Sequence, residues 1–174
     1  PTNPYSLSKN RIFCILEDHE GVLWIGTFGG GLNKFDREKE QFNHYKNDSK
    51  NPNSISNNYI LSIYEDRVQV LWIGTDGGLN KFDREKDRFT YFTVADGLPN
   101  NVIYDILGDD KGNLWMSTNK GLSKFNPKSG IFKNYDMEDG LQSNEFNTGT
   151  AFKSKSGEMF FGGIDGFNVF FPKN

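Results

Sequence analysis

Leu23-Trp24-Ile25-Gly26-Thr27 returns as Leu71-Trp72-Ile73-Gly74-Thr75, then as Leu114-Trp115-Met116-Ser117-Thr118, and in worn form as Met159-Phe160-Phe161-Gly162-Gly163. The aromatic anchors stand 48, 43 and 45 residues apart, and self-similarity at such a period marks a repeat architecture. The flanks repeat too. Downstream lie Gly31 to Asp36 (GLNKFD), Gly78 to Asp83, Gly121 to Asn126 and Gly166 to Phe171. Upstream lie Asn10 to Asp18, Asn58 to Asp66, Asn101 to Asp109 and the segment from Asn144. Aromatic pairs Phe42/Tyr45, Phe89/Phe92 and Phe132/Tyr135 fill the gaps, and none follows the last copy.

Each unit thus holds four short apolar runs. Ile12 to Leu16, Ile60 to Tyr64 and Val102 to Leu107 are β-branched or aromatic and too short for helices. Turn residues separate the runs: Asp18-His19-Glu20-Gly21 and Asp109 to Gly112 after the first, Phe28-Gly29-Gly30, Asp76-Gly77 and Asn119-Lys120 after the second. Links this short force antiparallel neighbours, because a parallel crossover needs about a dozen residues. One such sheet alone would leave Trp24, Phe35 and Ile15 wet; stacking sheets face to face removes that surface from water at about 25 cal/mol per Å2. Radial stacking of four-stranded sheets is a β-propeller.

The expected fold is therefore all-β: a propeller of four-stranded antiparallel blades, four in this chain, at about residues 7–54, 55–98, 99–141 and 142–174. The ring is either partial or completed by oligomerisation, with closure of four blades on their own, the small limit of propellers, as the alternative. The fourth strand lacking after Phe171 predicts a bare edge, which proteins usually cover. Residues 1–7, in cis or from a partner, are the expected source of that strand, and association is expected.

Composition agrees. Two alanines against 19 Gly and 20 Asn exclude a helix-rich fold. A net charge of −3 leaves no basic excess to neutralise phosphates, so no nucleic-acid partner is expected. No apolar run approaches the length of a membrane helix and no basic-then-apolar leader opens the sequence, so neither membrane contact nor a signal peptide is expected in this segment. One cysteine and two histidines supply too few ligands for a zinc site, and no metal, cofactor or catalytic residue is expected. The Asp109-Asp110-Lys111-Gly112-Asn113 run lacks the bidentate Glu of a calcium loop and reads as a hairpin turn.

The combination of an acidic strand end, LWIGT, GLNKFD and F-x-x-Y resembles the two-component regulator propeller repeat, in three good copies and one divergent one. That resemblance implies an extracytoplasmic (periplasmic or extracellular) sensor region of a hybrid two-component receptor, with an oligosaccharide as ligand. Gly163 to Pro172 resembles a terminal blade, and Asn3 to Ser8 parallels the inter-unit link Asn51 to Ser56, so the resemblance also implies a piece of a larger ring. Any kinase activity it implies belongs to other parts of such a receptor.

In such a meander, with the first strand innermost, the links between units and the turns after each second strand share one end of the ring. The column after the repeated Asn reads Arg11, Tyr59, Val102 and Glu145, differing in every copy while its flanks stay alike. Candidate ligand-binding residues are Arg11, Tyr59 and Glu145, with Asn10, Asn58, Asn101, Asp76, Asn119, Lys120 and Asp165 on the same end. The alternatives are structural. The repeated Asn residues suit turn caps, the column could simply face channel water, and Trp24, Trp72 and Trp115 suit inter-blade core better than sugar platforms. The expected function is non-catalytic ligand sensing. Its alternatives are a structural or protein-interaction scaffold and, third, a propeller lyase, for which histidines are too few. The partners expected are an oligosaccharide or other small molecule, and either a second copy or the missing blades of the parent receptor.

Overall fold

A computed structural model of the protein describes residues 3–172. Blade 1 comprises β1 (Ile12–Glu17), β2 (Leu23–Thr27), β3 (Gly31–Asp36) and β4 (Gln41–Tyr45), and blade 2 β5 (Ile60–Glu65), β6 (Leu71–Thr75), β7 (Gly78–Asp83) and β8 (Arg88–Phe92). Blade 3 comprises β9 (Ile103–Gly108), β10 (Leu114–Thr118), β11 (Gly121–Asn126) and β12 (Ile131–Tyr135), and blade 4 β13 (Phe146–Lys153), β14 (Met159–Gly163) and β15 (Gly166–Phe170). Every sheet is an antiparallel meander in chain order. The fold is an all-β propeller of four blades, the last with three strands among the described residues. Among the described residues helix is confined to two single 3-10 turns, Val94–Asp96 and Met137–Asp139, in the links before blades 3 and 4. No helix of the described residues is long and apolar enough to cross a membrane.

The innermost strands stand in a row, β1 on β5, β5 on β9 and β9 on β13. Gly26 permits the closest approach: a Cβ there would meet Cys14 Sγ at 2.4 Å and Ile60 at 2.7 Å, an atom of the next blade. Three apolar clusters fill the three blade boundaries. Trp24 and Leu32 meet Ile60, Leu71, Ile73, Phe82 and Phe89; Trp72 and Leu79 meet Ile103, Leu114, Met116 and Phe125; Trp115 and Leu122 meet Phe146, Met159 and Phe161. The tryptophans are buried, so they are core and not sugar platforms. Each indole N–H donates to a turn carboxylate of its own blade, Asp18 at 2.7 Å, Asp66 at 2.9 Å and Asp109 at 3.1 Å.

The two ends of the row differ from its interior. Ile15 on blade 1 is 60% exposed, and Phe152 and Phe167 on blade 4 are 62% and 64% exposed. The expected donation of residues 1–7 to blade 4 does not occur within the described residues. Residues 3–8 lie instead along blade 1, where the Phe42 N–H donates to Tyr5 O at 2.9 Å and the Ser8 N–H to Asn33 Oδ1 at 3.0 Å. The segment Asn51–Ser56 makes the same bonds to blade 2, from the Phe89 N–H to Asn53 O and from the Ser56 N–H to Asn80 Oδ1. Residues 3–8 are thus a link already seated on their own blade. Pro1 and Thr2 lie outside the described residues.

Candidate functional site: an aromatic pocket at the inner strands

Each innermost strand carries an irregularity. In blade 1, Ile12 pairs Thr27 and Cys14 pairs Gly26, so Phe13 is an extra residue. Leu61 in blade 2 and Tyr104 in blade 3 are extra in the same way. In blade 4 the irregularity widens to the whole stretch between Phe146 and Ala151. A β-bulge bends its strand and re-aims a side chain. Here Phe13, Leu61, Tyr104 and Thr148, one from each blade, line a single pocket of about 360 Å3, completed by Phe28, Tyr59 and Asp76.

The pocket wall is mostly aromatic. Phe28 lies edge-on to Tyr59 at 4.4 Å between centroids and stacks on Phe13 at 5.4 Å. The Arg11 guanidinium sits 4.3 Å over the Phe28 ring, holding a cation beside the aromatic group. Backbone pairing fixes these positions: the Phe28 N–H donates to Arg11 O at 2.9 Å, and the Asp76 N–H to Tyr59 O at 3.2 Å. The Asn57 side chain accepts from the Tyr59 N–H at 2.9 Å, a turn that aims Tyr59 into the ring end. The Tyr104 hydroxyl donates to Asn119 Oδ1 at 2.6 Å, adding a polar rim.

Of the residues expected from sequence, the fold therefore gathers Arg11, Tyr59 and Asp76 around one pocket and ties Asn119 to it through Tyr104. Glu145, Lys120 and Asp165 are exposed, and none of them lines it. Asn58, Asn101 and Asn144 close the inter-blade links, their side-chain oxygens accepting from the N–H groups of Asn47 at 2.8 Å, Val94 at 2.9 Å and Met137 at 3.0 Å. Asn10 is exposed and makes no such bond among the described residues. Phe13, Leu61, Tyr104 and Thr148 were outside the sequence-based set. Their column lies two or three residues past the variable one and varies as well, but the bulges that turn them inward leave no mark in the sequence.

Asp105 secures the blade 4 wall. Its carboxylate accepts from the Gly149 N–H at 3.2 Å and the Thr150 N–H at 3.0 Å, pinning the widened bulge that carries Thr148. Burial pushes the Asp105 carboxyl above its ordinary value, and these backbone N–H groups offset that only in part. Burial also drives the Cys14 thiol up to about 12, with the Asp105 charge adding to it, so Cys14 stays protonated and unreactive. Among the described residues no group of three or more His, Cys, Asp or Glu side chains is placed to hold a metal.

Residues 6–29, 54–77 and 97–120 match the two component regulator propeller family. Among solved structures, the chain is similar to the extracellular domain assigned to the hybrid two component system BT3049 of B. thetaiotaomicron, at 32% identity and a TM-score of 0.88, over 98% of this chain and 23% of that one. It is also similar to the extracellular domain assigned to BT4673 of the same organism, at 29% identity and a TM-score of 0.81, over 97% of this chain and 24% of that one. The chain thus spans about a quarter of the length of these structures. Virginiamycin B lyase from Staphylococcus aureus, at 12% identity and a TM-score of 0.64 over 98% of this chain and 58% of that one, shares the fold alone. No curated protein gives a match. Three segments of this chain, each holding the first two strands of blade 1, 2 or 3, thus match the two component regulator propeller model, and the chain as a whole resembles extracellular domains assigned to hybrid two component systems.

Proposed function

We propose that this chain is a non-catalytic sensing segment of a periplasmic or extracellular receptor region, and that it binds an oligosaccharide in the pocket of Phe13, Phe28, Tyr59, Leu61, Asp76, Tyr104 and Thr148. The supporting observation is the chemistry of that pocket. Flat rings of Phe28 and Tyr59 suit the apolar face of a pyranose, while Asp76 and the hydroxyls of Tyr59, Tyr104 and Thr148 suit its hydroxyl edge. All four blades contribute to the lining, so a ligand held there favours one arrangement of blades over another, which is how binding would reach a distant output domain.

Calorimetric titration with a panel of neutral and acidic oligosaccharides tests this reading. Saturable binding that Tyr59→Ala and Phe28→Ala each weaken at least tenfold supports it. Absence of binding across the panel, or binding that both variants retain, overturns it.

A scaffold role is the second reading, favoured by the exposed apolar side chains at the two ends of the row. There, flanking blades of a longer receptor or a second copy would stack as the interior blades do. A chain that dimerises and ignores every glycan would favour it.

A further inference from the structure

Charge is shared unevenly around the ring end that carries the aromatic pocket. Blade 1 brings Lys9 and Arg11 to it, blade 2 Asp76, blade 3 Lys120, and blade 4 Glu145 and Asp165. Asp76 lines the pocket, and Arg11 borders it through the Phe28 ring. Blade 1 is the cationic side of the mouth, since neither Ser8 to Arg11 nor the turn Phe28-Gly29-Gly30 holds a carboxylate. Asp76 belongs to the blade 2 side, beside Tyr59, whose backbone oxygen accepts the Asp76 N–H at 3.2 Å.

Arg11 differs from the other four arginines of the chain. Arg37 pairs with Glu17 at 3.1 Å, Arg67 with Asp110, and Arg84 with Asp18 and Glu65 at 2.8 Å each, while Arg88 approaches Asp83 at 3.9 Å. Among the described residues Arg11 has no carboxylate within 4.0 Å. Two rings hold it instead, with centroids 4.3 Å away in Phe28 and 5.3 Å away in Phe13. A guanidinium held over a ring face keeps its N–H edge for another acceptor. The repeat itself does not ask for a cation here, because the equivalent residues are Tyr59, Val102 and Glu145. Lys9 reinforces the same side. A Cβ on Gly30 would meet its Cγ at 2.7 Å, and one on Gly29 would meet the Tyr59 ring at 3.5 Å, so the turn lies between the lysine stem and the aromatic wall.

Resting on the reading of this pocket as a glycan site, we propose that its ligand is an acidic sugar, and that Arg11 takes the carboxylate of a uronic acid residue whose ring lies against Phe28 and Tyr59. The planar guanidinium fork matches a carboxylate through two parallel N–H donors. Hydroxyl groups at the other end of the sugar donate to Asp76. The reverse orientation sets the ligand carboxylate against Asp76, so the polarity of the mouth fixes one direction of entry. The attraction is local, because the chain as a whole carries a net charge of −3.

Calorimetric titration of the 174-residue chain with matched disaccharide pairs tests this assignment. The two members of a pair differ only in a carboxylate or a hydroxymethyl group at C6, and the pairs cover the gluco, galacto and manno series. In at least one pair the uronate should bind about tenfold more tightly than its neutral partner at low salt. Raising the salt concentration should shrink that preference. Arg11→Gln should abolish it and Arg11→Lys should retain part of it; Arg11 is exposed, so both variants keep the parent fold. Equal binding of acidic and neutral members, or a preference that survives Arg11→Gln, overturns the assignment of Arg11 and leaves the pocket as a site for neutral glycans or for another acidic contact. Failure of every pair to bind overturns this inference and the glycan reading together.

Discussion

The indole N–H of Trp24 donates to Asp18 Oδ2 at 2.7 Å, and this bond recurs in two further blades but is lost in the fourth through both of its partners. Where Asp18, Asp66 and Asp109 close the first turn, blade 4 has Ser154, whose N–H and Oγ keep the turn bonds to Glu158 O at 2.8 Å and from the Glu158 N–H at 3.0 Å. Where the tryptophans stand, it has Phe160, whose side chain has no N–H to satisfy. The two positions change together because a buried indole N–H without an acceptor is costly.

Asp109→Ala should therefore destabilise the chain by about 1–3 kcal/mol, since it leaves the Trp115 N–H and the turn N–H groups of Lys111 and Asn113 without their acceptor. The blade 4 pairing installed in blade 3, Asp109→Ser with Trp115→Phe, should cost less than the sum of the two single changes. Denaturant unfolding of the three variants measures it.

Trp72→Ala should cost about 3–5 kcal/mol and broaden the unfolding transition, because Trp72 spans the boundary between blades 2 and 3 and packs edge-on to Phe125 at 5.8 Å. Thermal unfolding with a parent-like midpoint would refute the coupling.

Acid should weaken the chain through the same carboxylates. Burial pushes Asp18 up, but the Trp24 indole, the Arg84 guanidinium at 2.8 Å and the Val22 N–H together outweigh it and hold the carboxyl below its ordinary value of 3.8. Asp109 is lowered likewise: burial raises it, while Asn113, Trp115 and Lys111 more than compensate. Their folded values lie below the unfolded one, so their contribution is present above about pH 4 and disappears as pH falls through the folded values. Asp105 runs the other way. Its raised folded value means that stability declines as pH rises from 3.8 through that value, and Asp105→Asn should remove this slope in a pH series of melting curves.

Tyr59→Ala and Arg11→Ala should leave stability within about 0.5 kcal/mol of the parent, because both side chains are exposed at the pocket mouth. Unchanged melting together with lost glycan binding separates a recognition role from a packing role. A large drop in melting would remove either residue from the site.

The architecture could be read from the chain because its cause is local and repeated. LWIGT and GLNKFD set two strands at short, glycine-bearing links, and four copies of an apolar meander have few ways to stay dry except by standing against one another. The Trp24, Trp72 and Trp115 core followed from the same periodicity, as did the link role of Asn58 and Asn101. The pocket followed only in part. Arg11 and Tyr59 stood out because their column varies, and Asp76 because its turn shares that end of the ring, whereas Phe13, Leu61, Tyr104 and Thr148 enter it through bulges set by register against β2, β6, β10 and β14. Where residues 3–8 lie was likewise decided in three dimensions: Asn33 and Phe42 offer them a hydrogen-bonded seat on blade 1, adjacent in sequence and close in space, before any distant edge can compete. Repetition in the chain determines which faces must be buried; which side chains turn toward the axis, and which edge stays open, depends on pairing between strands that only the assembled sheets bring together.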